Sequence, residues 1–170
     1  MNKFAEALIS ERKSDIIPDD LDFFGPFIGE WDFKWHDYIG TENDCVTDGK
    51  WTFSRVLEGS AVQDVFVTSK KNLKTGKFVR EYGTTVRIYD PQNRNWDIFY
   101  VYTGGAVHLV AEKEDEQIVL TCITPTGLYM KWIFYDIEKD TFKWKNIRSS
   151  DNGRTWWTKA RVEDVHRSHR

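Results

Sequence analysis

From Trp31 onward the chain alternates apolar and polar residues in short runs. Trp31, Phe33 and Trp35 alternate with Asp32, Lys34 and His36. Side chains on a strand change face at every residue, so the three aromatics share one face. The same alternation predicts strands over 51–57, 60–68, 78–89, 96–103, 106–112, 118–124, 129–137, 141–148 and 156–163. Turn residues separate them: Glu58-Gly59, Lys74-Thr75-Gly76, Asp90-Pro91-Gln92-Asn93, Gly104-Gly105, Lys113 to Glu116, Pro125-Thr126-Gly127 and Glu138-Lys139-Asp140. Gly83, inside a long run, suggests a bulge or bend.

An open sheet of about ten strands leaves two edges free to aggregate, and closure into a barrel removes them. A two-sheet sandwich is the competing solution. The hairpin-like spacing favours an all-β, antiparallel up-and-down barrel. Ahead of it, residues 2–13 carry a helical pattern, with Phe4, Ala5, Leu8 and Ile9 on one face. So short a helix must pack on something. Pro18 and Asp19-Asp20 end it, and Leu21 to Pro26 form a hydrophobic connector of the kind that plugs a barrel end. The expected organisation is one domain over 1–170: a helical extension at 1–22, the barrel at 23–165 and a polar tail at 166–170.

Composition adds one unusual feature. The chain has 8 Trp, 7 Tyr and 11 Phe, and flat side chains suit both pleated strands and cavity walls. The net charge is −3 with no basic block, so no nucleic-acid partner is expected. No run has the length of a membrane span, and the N-terminus lacks the apolar stretch of a signal peptide. A cytoplasmic protein with free thiols at Cys45 and Cys122 is the expectation; Cys122, in an apolar run, is expected to be buried.

Chemical motifs are few. Ser149 to Trp156 matches the Asp-box pattern Ser-x-Asp-x-Gly-x-Thr-Trp. One copy in a chain too short for a propeller reads as a hairpin device, with Asp151 bonding across the turn and Gly153 in a left-handed conformation. His36 is expected to point outward, and His166 and His169 to lie in the tail. His108 reads either as a satisfied core or surface histidine or as a ligand contact or haem ligand, and is kept as a candidate. No histidine spacing suits catalytic zinc, and no nucleophile motif or phosphate-cradling loop is present, so no metal, cofactor or catalytic residue is assigned.

The period of two gives an expected inner face. Trp35, Trp51, Phe53, Arg55, Ile98, Tyr100, Tyr102, Trp144, Asn146 and Arg148 fall on inward phases. An inward Arg55 needs either a structural partner or an acidic ligand head group. Trp35, Phe53, Arg55, Tyr100, Tyr102, His108, Trp144, Asn146 and Arg148 are therefore the candidate ligand-binding residues. The expected function is intracellular binding of a small hydrophobic or amphipathic molecule, with an acidic group allowed. One alternative is an enzyme (isomerase, cyclase or hydrolase) using Tyr100, Tyr102 or His108 as acid or base. The other is a solid barrel serving as an interaction module.

Gly29-Glu30-Trp31-Asp32-Phe33, Trp51-Thr52-Phe53, Val56 to Gly59 and Ala61 to Asp64 resemble a bacterial family of uncharacterised lipocalin-like (calycin) barrels. Tyr82 to Thr85, Arg87 to Tyr89, Trp96 to Tyr100, and Lys131 to Phe134 through the Asp-box hairpin fit the same pattern. The resemblance covers roughly residues 23–165. It implies the barrel fold and no particular ligand or reaction. It makes Trp31 the structural tryptophan of the closed end, with Arg161 on the last strand as the candidate to stack on it. The Gly-rich extension that marks haem-binding nitrobindin-like barrels is missing, so haem is not expected.

Overall fold

The structure is a computed structural model that describes residues 2–168. A short helix α1 (Lys3–Leu8) and a two-residue strand β1 (Ile9–Ser10) lead through two 3-10 turns into ten long strands. These are β2 (Gly29–Asp37), β3 (Cys45–Val56), β4 (Ala61–Lys71), β5 (Phe78–Asp90), β6 (Asn95–Tyr102), β7 (Gly105–Glu114), β8 (Gln117–Ile123), β9 (Tyr129–Tyr135), β10 (Lys143–Ser149) and β11 (Trp157–Arg167). Each pairs antiparallel with the next, and β11 returns to β2. The ring is thus a closed ten-stranded up-and-down barrel, as the alternation predicts.

One end is filled. The segment before β2 turns inward at Gly25–Phe27, and both Phe24 and Phe27 are buried. Phe27 packs on Phe53, Phe134 and Phe142 at ring distances of 5.7, 4.9 and 4.9 Å. Trp31 meets Phe142 edge-on at 4.8 Å, and its indole N–H donates to the Phe27 carbonyl at 2.7 Å. Burial of each phenylalanine contributes roughly 1.5–3 kcal/mol. The hydrogen bond pins the plug to the first barrel strand.

The N-terminal expectation needs correction. The helix stops at Leu8 and buries no residue; Phe4 lies exposed. Ile9 and Ser10 instead pair with Val56 and Arg55 at the end of β3. Backbone bonds to a free strand edge thus replace the second helical turn.

Three further expectations shift. At Gly83 the register of β5 with β4 and β6 runs on without a bulge. The last strand continues to Arg167, beyond the expected end at Glu163, through an irregularity between Glu163 and His166. His166 therefore belongs to the barrel, whereas His169 lies outside the described residues. Cys122 is only partly buried.

The strand extension changes the partner of Trp31. Arg161 lies opposite His36 and its guanidinium bonds Glu163. Arg167 is the residue opposite Trp31 and stacks on it. The hairpin after β10 is held by Asp151, which accepts from the Thr155 N–H and hydroxyl at 2.8 and 2.6 Å. Those bonds, with that from the Ser149 hydroxyl, hold the Asp151 carboxyl down at about 2.

Candidate functional site

β2 starts at the plugged end, so its last residues mark the opposite end of the barrel. Asp37 and Tyr38 there line an internal cavity of about 290 Å³. The inward phase of each strand supplies its wall. Trp35 comes from β2, Thr85 and Arg87 from β5, Tyr100 and Tyr102 from β6, Met130, Trp132 and Phe134 from β9, and Trp144, Asn146 and Arg148 from β10. The rings form a continuous aromatic surface. Trp144 lies 5.7 Å from Trp35 and 5.8 Å from Trp132, and Tyr100 lies 5.2 Å from both Trp132 and Tyr102. Gly83 and Gly105 make room for the tyrosines. A Cβ on Gly83 would lie 2.6 Å from the Tyr100 hydroxyl, and one on Gly105 would lie 2.6 Å from the Tyr102 hydroxyl. Close approach, not a bulge, is the reason for glycine within β5.

Arg87 sits at the inner edge of the cavity, 1% exposed. Its guanidinium lies 5.0 Å from the Phe24 ring and 5.1 Å from the Phe53 ring. One terminal nitrogen donates to Asp64 at 2.6 Å. Asp64 is equally buried and also accepts from the Trp51 indole at 2.7 Å and the Thr85 N–H at 2.9 Å. A buried ion pair persists only when its other bonding positions are also filled. Asp64 meets that condition. Arg87 does not, because its Nε and Nη1 have no partner.

Those two atoms belong to a larger set. Among the described residues, the buried side-chain polar atoms without a partner are Nε1 of Trp35, Trp132 and Trp144, Nε and Nη1 of Arg87, Nε of Arg148, and Oδ1 of Asn146. All belong to residues that line this one cavity. Each such atom costs about 1–3 kcal/mol unless something bonds to it. Native interiors carry few of them, and their confinement to one wall makes that wall the candidate site.

Charge points the same way. Lys70 bonds Glu81 at 2.9 Å, Lys159 bonds Asp37, and Arg87 bonds Asp64. Arg148 has no carboxylate partner among the described residues; burial lowers its pKa from the ordinary value, the Asp37 and Tyr102 charges opposing that. A guanidinium nevertheless remains charged at neutral pH. Burial pushes the Tyr100 phenol well above its usual range, with Glu81 and Asp64 adding to the effect. Tyr100 is thus a lasting hydrogen-bond donor and a poor base.

Six of the nine expected site residues line the cavity: Trp35, Tyr100, Tyr102, Trp144, Asn146 and Arg148. Three do not. Phe53 belongs to the solid core between Phe27 and Arg87. Arg55 is tied outside the cavity to Asp22 by bonds of 2.6 and 3.2 Å. The alternation that places it inward ends at Val56, where the chain turns into a 3-10 segment with positive φ at Leu57. His108 shares the phase of Ala106 and Val110, which is the outer face of β7. It stacks on Phe99 at 4.8 Å and bonds Asp97 at 2.8 Å. The alternation of β5 and β4 could have pointed to Arg87 and Asp64, since each is flanked at i±2 by residues that turn inward. Trp132 lies between Met130 and Phe134 in the same way.

A larger cleft of about 600 Å³ lies outside the barrel, between Asp19 to Pro26 and the turns after β7 and β9. Carboxylates dominate it, and none of the unpartnered buried atoms belongs to it.

Fold and cavity together define a closed ten-stranded antiparallel barrel with a plugged end and a chamber walled by aromatic and cationic side chains. No family model and no curated protein matches the chain. Among solved structures it is similar to Rv2717c from M. tuberculosis, with 13% identity and a TM-score of 0.58. The match covers 90% of this chain and 99% of that one. At that identity the likeness concerns the fold alone. Among the described residues, no helix is long and apolar enough to cross a membrane.

Proposed function

We propose that the protein is a lipocalin-like barrel that binds one small, partly apolar molecule in its cavity, in the cytoplasm. The observation that carries this reading is the gathering of unpartnered buried polar atoms in residues around a single aromatic-walled chamber. A solid interaction barrel would have no reason to leave those atoms unbonded, since apolar residues would fill the space without that cost. A binding cavity does, because its occupant supplies the partners.

The enzymatic alternative draws less support. His108 is on the outer face, Asp37 is engaged by Lys159, and Tyr100 holds its proton. The Ser149 to Trp156 hairpin fits an Asp-box acting as a local fastener, with Gly153 at φ 81° and the Trp156 indole bonded to the Gly153 carbonyl.

Native mass spectrometry of the purified protein tests the reading. The expected result is an additional small-molecule mass that denaturation releases. Apoprotein alone, together with no saturable binding in a small-molecule screen, would overturn it.

A further inference from the structure

Resting on the cavity reading, we infer that the occupant is a planar aromatic carboxylate. Its acid group pairs with Arg148, and its ring system lies among Trp35, Trp132, Trp144 and Tyr100.

The first argument is the charge ledger of the chamber. Four cationic side chains line it: Lys70, Arg87, Arg148 and Lys159. Glu81, Asp37 and Asp64 engage three of them one to one. The fourth, Arg148, is half-buried and bonded to no group among the described residues. A partly desolvated cation with no protein counter-ion is most stable beside an anion. A fork of guanidinium N–H groups matches a carboxylate in shape.

The second argument is the balance of donors and acceptors. Of the unpartnered atoms, only Asn146 Oδ1 is an acceptor; the others are indole or guanidinium N–H donors. Of the two carboxylates nearest the chamber, Asp64 has both oxygens bonded, and Asp37 Oδ1 accepts from Lys159 and the Tyr38 N–H, which leaves Asp37 Oδ2 as an acceptor. A sugar or an amine brings several donors, and Asp37 Oδ2 and Asn146 Oδ1 are fewer acceptors than the unpartnered N–H donors. A molecule rich in oxygen or ring-nitrogen acceptors finds several N–H groups. The indole and guanidinium N–H groups are solvent-inaccessible, so binding requires these side chains to turn toward the ligand.

The third argument is shape. Five of the aromatic side chains in the wall, Trp35, Tyr100, Tyr102, Trp132 and Trp144, meet in pairs at 5.2–5.8 Å. Flat surfaces at such spacing suit another flat ring, in stacked or edge-on contact. The chamber of about 290 Å³ holds roughly ten water-sized volumes, which suits a compact molecule. A long flexible acyl chain would need an apolar tunnel, and here the inner edge is the polar Arg87–Asp64 pair while the plug closes the end beyond it.

The test is isothermal titration calorimetry with three probes: 2-naphthoate, its neutral analogue 2-naphthalenemethanol, and decanoate. The expected order of affinity is 2-naphthoate above both others. Arg148→Met should weaken 2-naphthoate by about tenfold or more, since a hydrogen bond to a charged group is lost. The same variant should leave 2-naphthalenemethanol within about twofold. Arg161→Gln, on the outer face, is the control for net charge and should change neither. Circular dichroism and a thermal melt establish that Arg148→Met is folded; Arg148→Lys, which keeps the charge without the fork, should show an intermediate loss. Equal binding of naphthoate and naphthalenemethanol, or no effect of Arg148→Met, would overturn the aromatic-acid assignment and leave the cavity reading standing. Preference for decanoate would overturn planarity in the same way. No saturable binding of any of the three would overturn both.

Discussion

The Arg167 guanidinium lies 4.2 Å from the centre of the Trp31 indole. Its three nitrogens donate to the carbonyls of Lys139, Ile28 and Pro26, each at 2.9 Å. The last strand is thereby locked to the first strand, to the plug and to the turn before β10. Cation–π attraction supplies about 0.5–2 kcal/mol of this. Trp31→Ala should cost roughly 3–5 kcal/mol, because a buried indole is lost along with its bond to Phe27. Arg167→Ala should cost about 1–3 kcal/mol, because the carbonyls it serves lose their partner. Arg161→Ala should be near neutral. Urea melts of the three variants check the order, and an Arg161 effect exceeding that of Arg167 would reverse the assignment.

The Asp64–Arg87 pair makes a second prediction. Both residues are about 1% exposed, and Asp64 takes three donors. Asp64→Ala should destabilise by about 3–5 kcal/mol, since it strands a buried guanidinium. Replacing both partners, with Asp64→Leu and Arg87→Met, should recover much of that loss. Denaturant melts of the single and double variants measure the coupling. A strictly additive cycle would mean the pair does not act as a unit.

How much of this is legible in the sequence follows from what alternation can encode. Trp31, Phe33 and Trp35 against Asp32, Lys34 and His36 fix which face is inward, and the barrel and most of its chamber follow. Phe53 keeps its inward phase but lies deeper, in the solid core; the other residues that go astray lie where the period of two breaks or restarts. Arg55 sits one residue before Val56, where β3 gives way to positive-φ backbone. Arg167 lies beyond an irregularity in β11, so its phase cannot be counted from Trp157. His108 follows a Gly-Gly turn, which leaves the phase of the new strand undetermined from sequence. Asp64 and Arg87 lie on inward phases, but charge alone would place them outside. Their contact across paired strands, 23 positions apart in the chain, together with the Trp51 and Thr85 bonds to Asp64, explains their burial.

Gly83 is predicted to be coupled to Tyr100. A methyl group at position 83 would lie 2.6 Å from the Tyr100 ring and force it toward the chamber. Gly83→Ala should therefore cost about 1–3 kcal/mol as an overpacked contact. In a Tyr100→Leu background the same change should cost much less, since the ring is absent. A double-mutant cycle by thermal melts reads the difference directly.

Tyr100 should titrate apart from the other tyrosines. Burial raises its pKa above the ordinary value of 10.0, and the nearby Glu81 and Asp64 charges add to this. The folded value is the higher one, so the protonated phenol stabilises the native state below pH 10, and that contribution fades as pH rises further. Absorbance at the phenolate band should show one tyrosine ionising only as the protein unfolds in alkali. In Tyr100→Phe that late step should vanish.

The loop beside the chamber should be sensitive to weak acid through His36. Its two ring nitrogens face Asp44 at 2.6 Å and Glu163 at 3.2 Å, with Arg161 bonded to the same Glu163. Asp44 also accepts from the Gly40 N–H at 2.8 Å, so the cluster anchors the turn that follows Tyr38. Burial presses the His36 pKa down, but the bonds from Glu163 and Asp44 outweigh it and the net shift is upward from 6.5. The Gly40 and His36 bonds lower the Asp44 value from 3.8; for Glu163, burial opposes and the His36 and Arg161 bonds prevail, lowering it from 4.5. A raised histidine contributes stability that is complete below about 6.5 and is lost as pH rises through the folded value. The lowered carboxylates contribute stability that is complete above about 4.5 and is lost as pH falls. The cluster should therefore stabilise most between these limits, near pH 5–6. The difference in Tm between the wild type and His36→Gln should peak in that window and shrink toward pH 8. If the difference is flat from pH 5 to 8, His36 is not protonated between the two carboxylates and the turn after Tyr38 has another anchor.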